Sequence, residues 1–119
     1  MKNMLNKFKF DYDFKEDLLF VFDESRKSKG SIEFGDLVVD LEKTWNIVGL
    51  EIFNASEYLS ELTNKKITKE ALKEIEGAVM DFTVKKGTTI IKLILPIKKE
   101  KIPATIAIQN MNYRSPVTA

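Results

Sequence analysis

Two residue types, cysteine and histidine, are missing from this sequence of 119 residues. The absence of cysteine excludes disulfides, thiolate nucleophiles and cysteine-ligated zinc. The absence of histidine removes the usual general base near neutral pH and the commonest ligand of transition metals. Any catalysis would therefore depend on Asp, Glu, Lys, Tyr or Ser, and any bound metal would be a hard cation that prefers oxygen ligands.

Long apolar segments are also missing from the sequence. The most apolar stretch, TTIIKLILPI at residues 88–97, is interrupted by Lys92 and is too short to span a membrane. The first ten residues, MKNMLNKFKF, lack the apolar run and small-residue cleavage site of a signal peptide. We therefore expect a cytoplasmic protein.

Glycine-rich catalytic motifs are absent as well. The five glycines are scattered singly, so the sequence contains neither a nucleotide-binding loop nor a nucleophile elbow. Together with the lack of histidine and cysteine, this pattern predicts no catalytic residues, no enzymatic activity and no cofactor.

The charged residues are distributed unevenly along the chain, although the net charge is only +1. Residues 1–64 contain 8 Lys or Arg against 13 Asp or Glu, a net charge of −5, whereas residues 65–119 contain 11 against 5, a net charge of +6. This asymmetry indicates either parts or subunits that attract each other, or a basic region with an acidic partner. We favour complementarity within the molecule or between subunits.

Alternating apolar and polar residues predict strands near both ends of the chain, with helical patterns between them. The predicted fold class is α+β, with a mostly antiparallel sheet of about seven strands and two short helices in the middle of the chain. We expect a single domain over residues 1–119, in which residues 8–60 form a sheet plus a helix and residues 61–119 add a helix and three strands. The predicted core residues are Phe10, Tyr12, Leu18, Phe20, Val39, Leu50, Ile52, Leu59, Phe82, Leu93 and Ile106.

Residues 8–22 predict a β-hairpin. The alternating apolar faces predict a register in which Tyr12 lies opposite Leu18 and Phe10 lies opposite Phe20. Farther along, Asn54 and Glu57 have the spacing of a capping box that begins a helix. Thr68 is the predicted N-cap of a second helix.

Two segments resemble a family of short prokaryotic domains of unknown function. Tyr12-Asp13, Asp17 and Leu19-Phe20-Val21 fit its pattern Y-D-x-x-x-D-x-L-Y-I, while VVDLE at 38–42 and IVGLEIFNAS at 47–56 fit I-V-D-Y-D-x-x-G-x-I-V-G-I-E-I-L-x-A-S. The resemblance covers about residues 8–60 and implies a small sheet followed by a helix, with no activity.

One position departs from the family pattern. Trp45 replaces the glycine in the turn before I-V-G, so we expect either a different turn backbone or a positive φ at Asn46.

Asp11, Asp13, Glu16 and Asp17 form an acidic cluster at the hairpin tip. One hypothesis is a calcium or magnesium site formed by Asp11, Asp13 and Asp17, although the central Gly and distal Glu of a calcium loop are missing. A second is a catalytic carboxyl pair of Asp13 and Asp17, which should nearly face each other. We favour a third interpretation, in which these side chains accept hydrogen bonds from the backbone of the turn.

The basic half contains a group of candidate partner-binding residues: Lys85, Lys86, Lys98, Lys99 and Lys101. Lysines can neutralise the phosphates of a nucleic acid or another polyanion. Few aromatic residues accompany them, and no known nucleic-acid module matches, so solvated loop charge is the favoured interpretation.

Association with another protein is the function that the pattern favours most. Residues 88–97 have apolar side chains on both faces of the predicted strand, for example Ile91 and Leu93 on one face and Ile90 and Ile94 on the other. Either the sheet folds over itself, or a subunit covers its second face. We expect a homodimer first and a small protein partner second, with cation or polyanion binding as the alternative.

Overall fold

The computed structural model describes residues 6–109, except for the side chain of Asn6. Its elements in chain order are β1 (Asn6–Asp13), β2 (Leu18–Phe22), β3 (Gly30–Phe34), β4 (Leu37–Leu41), β5 (Ile47–Ile52), α1 (Ala55–Thr63), α2 (Lys69–Leu72), β6 (Ala78–Lys85), β7 (Thr88–Ile97) and β8 (Glu100–Gln109). Within this described part, none of the helices is long and apolar enough to cross a membrane.

All strands belong to one antiparallel sheet with the order β3-β4-β5-β2-β1-β6-β7-β8. The predicted α+β class is thus confirmed, but the described sheet has eight strands rather than about seven. The additional strand arises because residues 30–41 form two paired strands, β3 and β4, around a tight turn. Gly35, with a φ of 64°, occupies its tight turn together with Asp36, a left-handed position that glycine adopts at little cost.

The first strand joins the two halves of the sheet. Residues 6–8 of β1 pair with β6, while residues 9–13 pair with β2. Strands from the acidic first half of the sequence therefore lie together on one side of β1, and β6, β7 and β8 from the basic half lie on the other. The charge asymmetry of the sequence consequently becomes an asymmetry in space.

The register predicted for the first hairpin is wrong by one residue. Tyr12 pairs with Leu19 rather than Leu18, and Phe10 pairs with Val21 rather than Phe20. Both faces of β2 are apolar, so alternation alone could not select the inward one. Pairing with β5 selects Leu19 and Val21, which are fully buried.

One hydrophobic core receives residues from both halves of the sheet and from the helices. Six predicted core residues are buried: Val39, Leu50, Ile52, Leu59, Leu93 and Ile106. Three others pack half-buried against this core: Phe10, Tyr12 and Phe82. The prediction was wrong for Leu18 and Phe20, because the register shift places them on the outward face.

The turn between β4 and β5 retains the backbone that a glycine would favour. Trp45 has a φ of 72°, so the left-handed residue is Trp45 itself and not Asn46. Its N–H donates to the carbonyl oxygen of Glu42 at 2.9 Å, and its half-buried ring packs against the core. A bulky residue with this φ is strained, and its packing offsets the strain.

Candidate functional site

Asp17 anchors the hairpin tip to the start of α1. It occupies the last position of the four-residue loop between β1 and β2, with a left-handed φ of 54°. One carboxylate oxygen accepts the Tyr12 hydroxyl at 2.6 Å, and the other accepts the Ser56 hydroxyl at 2.7 Å. The backbone N–H of Ser56 also donates to this carboxylate, at 3.1 and 3.2 Å from its two oxygens.

This arrangement corrects the predicted cap of α1. Asn54 has a left-handed backbone and its side chain makes no capping hydrogen bond. The acceptor comes instead from Asp17 on the hairpin, and a negative charge beside a helix N-terminus is favourable. By contrast, the predicted cap of α2 is confirmed, since Thr68 Oγ1 accepts the Ala71 N–H at 3.0 Å.

Burial and the hydrogen bond to Asp17 raise the pKa of Tyr12 well above its usual range, with the negative charge of Asp17 acting in the same direction. The phenol therefore remains protonated as a donor at physiological pH. Tyr12 and Asp17 together form a structural contact between the hairpin and α1.

The other acidic residues of the hairpin lie apart from this contact. Asp13 accepts the backbone N–H of Glu16 at 3.0 Å, which is the turn chemistry favoured from the sequence. Asp11 is exposed on β1 opposite Phe20. Asp13 pairs with Leu18, so it does not face Asp17 across the hairpin as predicted. Within residues 6–109, no group of three or more Asp, Glu, His or Cys residues is placed to hold a metal ion.

Phe14 extends the hairpin contact to α2. The ammonium groups of Lys69 and Lys73 lie 4.7 and 4.8 Å from the centre of its ring. Cation–π contacts at an exposed ring of this kind contribute about 0.5–1 kcal/mol. The loop tip is therefore held against both helices, by Asp17 on α1 and by Phe14 on α2.

A second carboxyl pair, which the sequence reasoning missed, lies on the outward face of β4 and β5. Asp40 is only 5% exposed and accepts the Ser31 hydroxyl at 2.6 Å. Burial, a hydrogen bond to Asp40 and the negative charge of Asp40 raise the pKa of Glu51 to about 7. Glu51 is therefore partly protonated near neutral pH, although the burial of Asp40 keeps the Asp40 carboxyl group from contacting a substrate directly.

Gly49 provides the space for this pair. A Cβ atom at Gly49 would lie 3.3 Å from Asp40 Oδ2 and 3.0 Å from the carbonyl oxygen of Val21. The missing side chain thus lets the Asp40 carboxylate lie over β5. Asp40, Gly49 and Glu51 all fall within the second segment that resembles the prokaryotic family, and this resemblance was the available sequence signal.

The candidate lysines do not form one patch. Lys85 and Lys86 lie at the turn between β6 and β7, whereas Lys98, Lys99 and Lys101 lie at the turn between β7 and β8. These turns are at opposite ends of a strand of ten residues, roughly 30 Å apart. Such separation does not suit a compact anion-binding site, and a long polyanion would have to follow the whole strand.

The outward side chains of the sheet form two faces of opposite charge. We call the outward side of β2 to β5 and residues 9–13 of β1 the acidic outer face; its charged residues are Lys9, Asp11, Asp13, Glu33, Asp40 and Glu51. We call the outward side of β6 to β8 and Lys7 the basic outer face; its charged residues are Lys7, Asp81, Lys85, Lys92 and Lys101. The acidic outer face therefore contains five carboxyl groups and one lysine, whereas the basic outer face contains four lysines and one carboxylate.

The cleft beside β1 contains a mixture of aromatic and charged groups. It has a volume of about 530 Å³, and Phe8, Phe82 and Arg26 contribute to its lining. The Arg26 side chain already pairs with Asp23 at 3.6 Å and with Glu42 at 3.2 Å. Its charge is thus largely neutralised, and none of the lysines predicted to bind a partner lines this cleft.

Comparison with known proteins identifies two relatives. The chain is 33% identical over 107 residues to the uncharacterised protein MJ0789 of Methanocaldococcus jannaschii, covering 89% of each protein. It is 29% identical over 68 residues to a Methanosarcina mazei protein provisionally named a hypoxanthine phosphoribosyltransferase, covering 57% of this chain and 50% of that protein. No family model matches the chain, and no solved structure matches it.

Proposed function

This chain belongs to the same family as MJ0789 of Methanocaldococcus jannaschii, and we propose that it is a non-catalytic protein-association module. Self-association is the first expected mode, and binding of a small protein partner is the second. Residues 8–60 resemble domains without an assigned activity, which agrees with the description of the relative MJ0789 as an uncharacterised protein.

The observation that carries the proposal is the apolar content of the basic outer face. Val79, Ile90 and Ile94 point away from the core and stay half-exposed, although the opposite side of the same strands is buried. Pro103 and Ala107 beside them are exposed. Outward apolar side chains on neighbouring strands are the kind of surface that a protein partner covers.

Phosphoribosyl transfer is not proposed for this chain. The similarity to the Methanosarcina mazei protein covers only half of that protein. Moreover, the described glycines with positive φ, Gly35 and Gly87, lie in separate hairpin turns. A phosphate-binding loop instead brings several backbone N–H groups together.

Native mass spectrometry of the protein recovered from its own cells, followed by sedimentation velocity of the purified chain, tests this proposal. We expect a dimer that dissociates on dilution and weakens at high salt, because screening reduces the attraction between exposed charges. A dimer that carries a second protein would add the small-partner mode. A bare monomer over the whole concentration range would contradict the proposal.

A further inference from the structure

The acidic outer face contains a continuous row of five residues across five strands. Strand pairing places Glu33 beside Val38, Val38 beside Glu51, Glu51 beside Phe20 and Phe20 beside Asp11. Carboxyl groups thus alternate with apolar side chains across the whole face. Neighbouring strands lie about 4.8 Å apart, so the carboxyl groups recur roughly every 10 Å.

The basic outer face has the complementary pattern. Val79, Ile94 and Pro103 are direct neighbours on β6, β7 and β8, and Lys7 continues the same row on β1. Lys92 lies two residues from Ile94 along β7, and Lys101 lies two residues from Pro103 along β8. An apolar centre is therefore flanked by three lysines and by one carboxylate, Asp81, which pairs with Lys92 across β6 and β7.

We infer that the acidic outer face of one copy of this chain binds the basic outer face of a second copy. Val38 and Phe20 would cover the apolar centre formed by Val79, Ile94 and Pro103, while Glu33 and Asp11, at the two ends of the row, meet the surrounding lysines. The inference rests on the proposed self-association and adds the two surfaces that form it. Opposite potentials on the two faces favour this pairing over contact between like faces.

The size of the faces indicates how many contacts a dimer needs. A face five strands wide and five residues long covers roughly 300–400 Å². A stable interface buries about 800 Å² on each partner. One acidic-to-basic contact falls well short of this value, whereas two together approach it, so we expect the two contacts to form reciprocally about a two-fold axis, which also closes the assembly.

Charge reversal on one face at a time tests the pairing without touching the core. Glu33→Lys changes an exposed position of the acidic outer face, and Lys92→Glu changes an exposed position of the basic outer face. Each variant alone should form a weaker dimer. We expect sedimentation velocity to give a dimer dissociation constant about tenfold higher than that of the wild-type chain, or more. An equimolar mixture should form a dimer again, because one of its two contacts has two unaltered faces and the other has both charges reversed, so opposite charges meet in each contact.

Two matched variants control for the change of charge itself. Lys27→Glu in the loop after β2 and Glu61→Lys on α1 alter exposed residues outside both faces, and both should remain dimeric. Circular dichroism melting of all four variants verifies that they are folded.

Three results would overturn the inference. Single variants that dimerise as tightly as the wild-type chain, or a mixture that stays monomeric although the wild-type chain dimerises, would exclude these faces and leave the proposed function standing. A monomeric wild-type chain would remove the inference together with self-association.

Discussion

The carboxylate of Asp17 accepts hydrogen bonds from the backbone N–H and the hydroxyl of Ser56, 39 residues farther along the chain. The same carboxylate accepts the Tyr12 hydroxyl across the hairpin. A short acidic loop thereby fixes the position at which α1 begins. The acidic cluster of the sequence therefore contains one structural contact, at Asp17, and one local turn contact, at Asp13.

Replacing Asp17 should destabilise the protein more than replacing Asp13. Asp17→Ala leaves the Tyr12 hydroxyl and the Ser56 N–H without their acceptor, and we expect the free energy of unfolding to fall by about 2–3 kcal/mol. Asp13→Ala removes one exposed turn bond and should lower it by less than about 1 kcal/mol. Urea unfolding of both variants measures the difference, and equal losses would contradict the anchoring role of Asp17.

The pH dependence of stability should reflect Glu51. Its pKa is raised from 4.5 to about 7 by folding, so the folded state binds a proton that the unfolded state has released between these values. The resulting stabilisation is fully present below pH 4.5 and is lost as the pH rises to about 7. Because Glu51 is partly exposed, we expect a loss of about 1–2 kcal/mol.

Glu51→Gln should remove this pH-dependent loss, because the amide stays neutral and can still donate to Asp40. Urea unfolding between pH 5 and pH 8 compares the two proteins. Parallel curves for the variant and the wild-type chain would show that protonation of Glu51 does not contribute to stability.

Alanine at Gly49 should destabilise the sheet. The new Cβ atom would lie 3.0 Å from a backbone oxygen of β2 and 3.3 Å from Asp40 Oδ2, so we expect a loss of about 1–3 kcal/mol. Gly30→Ala is the matched control, since nothing lies within 4 Å of its added Cβ atom. Thermal melting should show a lower Tm for Gly49→Ala and an unchanged Tm for Gly30→Ala. If the Tm of Gly49→Ala were also unchanged, β5 would have to shift freely to accommodate the new Cβ atom.

Thr89→Val should stabilise the protein. Thr89 is 1% exposed, and its hydroxyl has no hydrogen-bond partner among the described residues. Replacing a buried hydroxyl of this kind by a methyl group removes a desolvation penalty of about 1 kcal/mol. The exposed Thr83→Val serves as the reference in chemical unfolding, and a destabilised Thr89→Val would reveal a partner for the hydroxyl.

Much of the fold was predictable because local patterns agreed with it. The buried alternation of Ile102, Ala104, Ile106 and Ile108 in β8 follows the period of two in the sequence. The Thr68 cap also involves only neighbouring residues. The hairpin of β3 and β4 is not predicted by periodicity, although the Gly35-Asp36 pair in its turn is itself a turn signal.

Composition and the periods within single segments were sufficient to predict the antiparallel α+β class, the uneven charge and the chemistry that the missing residue types exclude. They were not sufficient to predict which face of β2 is buried, that Asp17 rather than Asn54 caps α1, or that Asp40 lies beside Glu51. Each of these depends on the pairing of segments distant in the chain. A one-residue change in register reverses the face of every side chain in a strand, and local periodicity carries no information about it where both faces are apolar.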